Sequence, residues 1–184
     1  ATSVTDYGTY FAWGEVMGYT SDTDYDKTAF TEGDYSWGNG SLSTLTKYCS
    51  NSEYGYHGFT DTKTTLDVMD DAAAANWGGA WRMPTQEEYN ELYSACTWTW
   101  TSLNGVNGYT VTGPNGNSIF LPAAGCLYNL SQQGGVGTNG YYWPGSMAEG
   151  YPTHVHYLSF SSGGAALNYS IYRSFGLSIR PVCQ

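Results

Sequence analysis

Apolar positions along the chain change their period twice, and those changes mark the elements. Leu66, Met69, Ala73 and Trp77 recur at i, i+3, i+7 and i+11, which predicts a helix over residues 66–76. Gly78-Gly79 should stop it, because glycine takes the positive φ that ends helices. A second helix is announced by Pro84 and then Thr85-Gln86-Glu87-Glu88, a capping box with Glu87, Glu88 and Glu91 early in the helix dipole. Its apolar stripe would be Tyr89, Leu92, Tyr93 and Cys96. From Thr97 the period falls to two in Thr97-Trp98-Thr99-Trp100-Thr101, the alternation of a strand.

The turn signals Asn104-Gly105, Asn107-Gly108 and Gly113-Pro114-Asn115-Gly116 then separate strands near 109–112 and 118–121. Later strands are expected over 140–143, 155–160 and 177–182. Residues 1–64 keep no lasting period and read as loops and brief strands, such as Tyr10-Phe11-Ala12-Trp13. Tight turns between strands cannot build a parallel doubly wound sheet, so the expected class is α+β. With 184 residues the chain is one domain, 1–184.

Composition narrows the function classes. Gly (24) and Tyr (18) are over-used and charged residues make up only 12 %, which excludes a disordered tail and a coiled coil. No apolar run reaches the length of a membrane span, so no direct membrane insertion is expected. The formal charge of −10 argues against nucleic acid, whose phosphates need clustered basic residues. Residues 1–91 carry 15 acidic against four basic residues, whereas 92–184 carry only Glu149 against Arg173 and Arg180. The second half is thus neutral and rich in Tyr, Ser, Asn and Gly, a composition shared by antibody paratopes and by buried strands. The chain opens at Ala1 without an apolar leader, so any signal peptide or anchor is expected to have been removed or to lie outside it.

Motifs for chemistry are sparse. Cys49, Cys96, Cys126 and Cys183 contain no CxxC pair; they could form two disulfides in a secreted protein or stay free thiols. Asp22-Thr23-Asp24-Tyr25-Asp26 begins like a calcium loop, but Lys27 stands where glycine is needed and Gly33 where a bidentate Glu belongs, so it reads as a solvated acidic loop. His154 and His156 lie two apart on one strand face, without a third ligand nearby. There is no Gly-x-Ser-x-Gly elbow, and Gly137-Thr138-Asn139-Gly140 lacks the strand–helix unit of a dinucleotide site. Asp70-Asp71 reads as structural or capping. No catalytic centre, cofactor or metal is expected.

The segment from Asp70 through Asn76-Trp77-Gly78-Gly79-Ala80-Trp81-Arg82-Met83-Pro84-Thr85 to Tyr89 resembles the signature of formylglycine-generating-enzyme domains, as does the ending Gly176-Leu177-Ser178-Ile179-Arg180-Pro181-Val182. From Tyr10 onward the chain more closely resembles FISUMP-type domains of gut bacteria, which share Leu103-Asn104-Gly105-Val106-Asn107-Gly108-Tyr109, Gly113-Pro114-Asn115-Gly116-Asn117-Ser118-Ile119-Phe120-Leu121-Pro122-Ala123-Ala124-Gly125 and Arg180-Pro181-Val182-Cys183. That resemblance implies a C-type-lectin-like fold: two helices, a twisted antiparallel sheet and long ordered loops. The modifying enzymes carry a close pair of redox cysteines near the C-terminus; here 56 residues separate Cys126 from Cys183. The lectin calcium motifs are missing too. The resemblance therefore carries the fold without the chemistry.

Residues 143–182 further resemble the variable region of proteins diversified by retroelements, in which adenines of template Asn codons are miscopied. Alignment on Leu158-x-Phe160-x-Ser162-Gly163 and Arg173-x-x-Gly176 makes the exchanged positions Tyr151, Thr153, His154, Tyr157, Ser159, Ser161, Ala166, Asn168, Tyr169, Ser170, Ile171, Tyr172, Ser174 and Phe175. Such miscopying can never yield Trp, Gln, Met, Lys or Glu. These types supply 24 of residues 1–149 but none of residues 150–179, where about five would be expected. The resemblance implies a non-enzymatic protein that binds a protein or glycan on a cell surface, located extracellularly, at the cell surface or on a phage tail tip. Tyr169, Tyr172 and Phe175 would anchor the ligand, and Trp77, Trp81, Trp98 and Trp100 would hold the scaffold. The alternatives are a fixed surface-lipoprotein domain, glycan-binding or architectural, and a formylglycine-type oxidase.

If these residues form a variable surface, they should be mostly exposed and gather on one face. Ser178, Arg180 and Val182 should share one face of a closing strand, with Ile179 and Pro181 on the other. Arg82 and Arg180 should be struts paired with carboxylates or carbonyls rather than ligand-binding groups.

Overall fold

The computed structural model describes residues 3–19, 31–128, 132–147 and 150–183; the acidic run from Asp22 to Asp26 lies outside them. The described chain is α+β, with all its strand pairs antiparallel. Helix α1 covers Ala72–Trp77, shorter than the periodicity predicts. The Asp71 carboxylate accepts from the backbone N–H groups of Ala73 and Ala74 and so fixes the start of the helix at Ala72. Residues 68–70 form only a 3-10 turn, and Met69 and Trp77 are exposed rather than core. Gly78, at φ 65°, ends the helix as expected.

Helix α2, Gln86–Ala95, starts with both halves of the capping box: Glu88 N–H donates to Thr85 Oγ1 at 3.2 Å and Thr85 N–H to Glu88 Oε2 at 2.8 Å. Arg82 reinforces that start with a two-pronged bond to Glu88, at 2.7 and 2.6 Å, and a third bond to the Met83 carbonyl. The guanidinium holds the Glu88 carboxyl below its ordinary range. Arg82→Ala should therefore cost about 1 kcal/mol, or roughly 2–4 °C in melting temperature. Because the Glu88 pKa is lower folded than unfolded, this contribution is present above the unfolded value, ~4.3, and is lost as pH falls through the folded value. Thermal melts of wild type and variant at pH 7 should differ, and should converge in acid.

Two three-stranded meanders follow. The first joins β2 (Thr97–Leu103), β3 (Val106–Thr112) and β4 (Ser118–Pro122); the second joins β7 (Asn139–Tyr142), β8 (His154–Ser161) and β9 (Gly164–Tyr172). Between them lies the ribbon β5 (Cys126–Tyr128) with β6 (Gln132–Gly134). β1 (Trp81–Arg82) pairs with β10 (Val182–Cys183), joining the start of the Trp-Arg-Met-Pro segment to the chain's end. β9 is absent from the predicted strands: an irregularity in its pairing with β8, between Tyr157 and Ser159, interrupts the alternation. The closing strand is shorter than predicted. Leu177 and Ser178 make single bridges to Phe11 and Tyr142, and Ile179, Arg180 and Pro181 are all partly buried, so no two-faced strand runs through them.

Two tryptophans, Trp13 and Trp143, are fully buried and crossed. Trp13 Nε1 donates to the Pro144 carbonyl and Trp143 Nε1 to the Phe11 carbonyl, each at 2.8 Å, so each indole N–H is satisfied by the chain segment that carries the other. These rings, not Trp77 and Trp81, hold the main core with Tyr48, Met83, Val155 and Leu177. Trp77 and Trp81 are 48 % and 41 % exposed. Trp98 and Trp100 do pack on a second cluster, built by Tyr89, Tyr109, Tyr142, Leu158 and Phe160. Gly140 serves that cluster: a Cβ there would meet the Phe160 ring at 2.0 Å. The Asp70-Asp71 pair is structural, as expected: Asp70 accepts from Lys47 Nζ and from the Tyr48 hydroxyl.

Candidate functional site

Strand alternation and the β8–β9 register decide where the candidate residues go. Tyr157 opposes Tyr169, and Ser159 opposes both Tyr141 and Ala166, so these side chains share one face of the second meander. There they line an open groove of about 480 Å³ with Asn139 and Ser161. A smaller apolar hollow of about 170 Å³ adjoins it, bounded by Tyr128, Ile171, Phe175 and Cys126, and shares Tyr141 and Tyr157 with the groove. Half of the fourteen candidates, Tyr157, Ser159, Ser161, Ala166, Tyr169, Ile171 and Phe175, line this double cleft.

The remaining candidates correct the expectation of one exposed face. His154, Ser170 and Tyr172 alternate to the opposite face of the sheet, where the His154 ring lies 4.2 Å from the Tyr172 ring. Tyr151 and Asn168 are exposed, Tyr151 in the loop before β8 and Asn168 within β9. Thr153, Ser159 and Ser174 are buried; Ser159 sits at the floor of the groove, but Thr153 and Ser174 lie in the packed interior. The cause is Arg173. Its backbone N–H donates to the Thr153 carbonyl and its carbonyl accepts from Trp13, which pulls both neighbouring segments inward.

Aromatic contacts set the shape of the cleft. Tyr141 meets Tyr157 edge-on at 5.7 Å, Trp143 supports Tyr157 from below at 6.1 Å, and Phe175 stacks on Tyr128 at 5.8 Å. Tyr169, 57 % exposed, stands at the rim. The lining holds no charged side chain. Burial pushes the Tyr157 phenol up to about 12 and the Cys126 thiol up to about 11, so both are neutral hydrogen-bonding groups at ordinary pH. The arrangement can stack on rings, cover apolar surface and exchange hydrogen bonds.

Tyr141, Asn139 and Tyr128 lie outside the candidate set, although a strand over 140–143 by itself places Tyr141 and Tyr142 on opposite faces. Cys49, Cys96 and Cys126 are free thiols, Cys49 and Cys126 buried and Cys96 partly so. Among the described residues no group of three or more His, Cys, Asp or Glu converges as a metal site, and no helix is long and apolar enough to cross a membrane. His154 Nδ1 is instead bonded to Thr153 Oγ1 at 2.8 Å, and burial lowers the His154 pKa. Comparison of the chain with models of protein families, with characterised proteins and with solved structures found no match.

Proposed function

We propose that this protein is a non-enzymatic binding protein whose double cleft on the second meander is the ligand-contacting surface, carried on a C-type-lectin-like scaffold. The observation that carries this reading is the coincidence of two independent patterns. Seven residues marked as exchangeable by the sequence resemblance line one continuous uncharged aromatic cleft, while the motifs Trp-Arg-Met-Pro-Thr and Gly-Pro-Asn-Gly build helix starts and turns away from it. Tyrosine rings give contact area at low entropy cost, and serines at the floor supply adaptable hydrogen bonds. The ligand is a protein or glycan displayed on a cell surface, and the protein itself acts extracellularly, on a bacterial surface or a phage tail.

Glycan and protein arrays probed with wild type and with Tyr169→Ala test the reading. Tyr169 is exposed and its removal should leave the melting temperature within about 2 °C, because surface substitutions rarely exceed ~0.5 kcal/mol. Binding to any wild-type hit should fall at least about tenfold, the effect of losing one aromatic anchor worth ~2 kcal/mol. Hits that Tyr169→Ala and Tyr157→Ala both retain at full strength would place the ligand elsewhere.

A further inference from the structure

Tyr142, the neighbour of Tyr141 on β7, points away from the cleft and toward a different cavity of about 420 Å³. Its walls include Tyr7, Thr9, Asn76, Trp77, Trp81 and Arg180. None of its lining residues is among the fourteen candidates, so a site here stands or falls separately from the cleft.

The two half-exposed indoles reach this cavity by local design. Trp77 ends α1 and Trp81 begins β1, and the intervening Gly78-Gly79-Ala80 turn, with both glycines at positive φ, brings the two rings to one wall. Large exposed aromatics in a concave site are costly to leave bare and are suited to a flat ligand.

Arg180 supplies the charge. Lys47 pairs with Asp67 and Asp70, Lys63 with Asp67 and Arg82 with Glu88, while Arg173 is spent on carbonyls. Arg180 alone among the described Lys and Arg residues makes no hydrogen bond or ion pair with any described residue, although the chain carries a net charge of −10. This overturns its expected role as a strut. A planar fork without a partner in a cavity is a receptor for a carboxylate.

The other polar groups distinguish among carboxylates. Asn76 Nδ2 donates to the Val16 and Ala72 carbonyls, at 3.0 and 2.8 Å, and its Oδ1 accepts no hydrogen bond from a described residue. The hydroxyls of Tyr7 and Thr9 make no side-chain hydrogen bond with the described residues. Acceptors need donors on the ligand, which a bare carboxylate or an aromatic acid does not have. A doubly charged phosphate would face a single cation, a poor balance. We propose that this cavity is a fixed site for an acidic monosaccharide unit, its ring against Trp77 and Trp81, its carboxylate on Arg180 and a hydroxyl donating to Asn76 Oδ1.

Isothermal titration calorimetry with D-glucuronate, D-galacturonate and N-acetylneuraminate, against D-glucose and acetate, tests this on the whole chain. At least one acidic sugar should saturate with a millimolar Kd, at least about tenfold tighter than glucose and than acetate. Arg180→Gln should abolish the preference over glucose at an unchanged melting temperature, since no partner among the described residues is lost, and raising salt should weaken only the acidic sugar. Trp77→Ala should weaken acidic sugar and glucose together. Failure of all three acidic sugars to saturate, an affinity no better than acetate's, or a preference that survives Arg180→Gln would each overturn the assignment.

Discussion

Replacing Arg173 with alanine should lower the melting temperature by on the order of 10 °C. Arg173 is fully buried. Its guanidinium donates to the carbonyls of Tyr48 and Pro152 through Nη1, at 2.8 and 2.9 Å, and to that of Lys47 through Nη2, at 2.7 Å. The rings of Tyr35 and Trp13 face it at 5.1 and 5.8 Å, so its charge is met by carbonyl dipoles and π-faces rather than by an ion pair with any described residue. Tyr48 sits at φ 57°, a left-handed conformation costly for an aromatic residue, and its carbonyl is held by this arginine. Truncation would strand three carbonyls and open a cavity, at a cost of about 3–5 kcal/mol. Lysine should rescue little, since a point charge cannot serve three carbonyls in a plane. A calorimetric melting temperature for Arg173→Ala within about 2 °C of wild type would refute this role.

The second large effect is a contrast between neighbours in the candidate set. Ser174→Tyr should destabilise by about 3 kcal/mol or more, because Ser174 is 1 % exposed and a phenol there must displace packed core. Tyr169→Ser, five residues earlier and at the rim, should change stability by no more than ~0.5 kcal/mol. Urea unfolding of the two variants measures both. Equal costs would mean that burial does not govern which positions of residues 151–175 can be exchanged.

The elements that the sequence declared correctly are those written in local hydrogen bonds and alternation. The capping box at Thr85 and Glu88, the strand of alternating Thr and Trp, and the glycine stop at Gly78 all appear where the residues place them. What it concealed depends on distant partners or on competing local ones. The helical spacing of Leu66, Met69, Ala73 and Trp77 does not become one helix, because Asp71 finds the N–H groups of Ala73 and Ala74 and starts the turn afresh. The serine at 174 reads as a surface residue by type; its burial comes from the arginine before it, two of whose carbonyl partners lie more than a hundred residues away. Arg180 and Arg82 occupy similar motifs, and only tertiary structure separates the strut from the guanidinium that has no partner among the described residues. The split of the candidates between two faces was in principle legible from alternation, but the irregularity between Tyr157 and Ser159 resets the register in β9.

If the cleft is a changeable binding surface on a scaffold indifferent to its contents, selection from a displayed library will show it without knowledge of the natural ligand. Tyr157, Ser161, Ala166, Tyr169, Ile171 and Phe175 would be randomised in one library, and the α2 positions Glu87, Asn90, Glu91 and Ser94 in another, with both panned against an unrelated protein such as lysozyme. The cleft library should yield folded, saturable binders at melting temperatures close to wild type, and the helix library none. Binders from the helix library alone, or loss of the fold in most cleft variants, would contradict a changeable cleft.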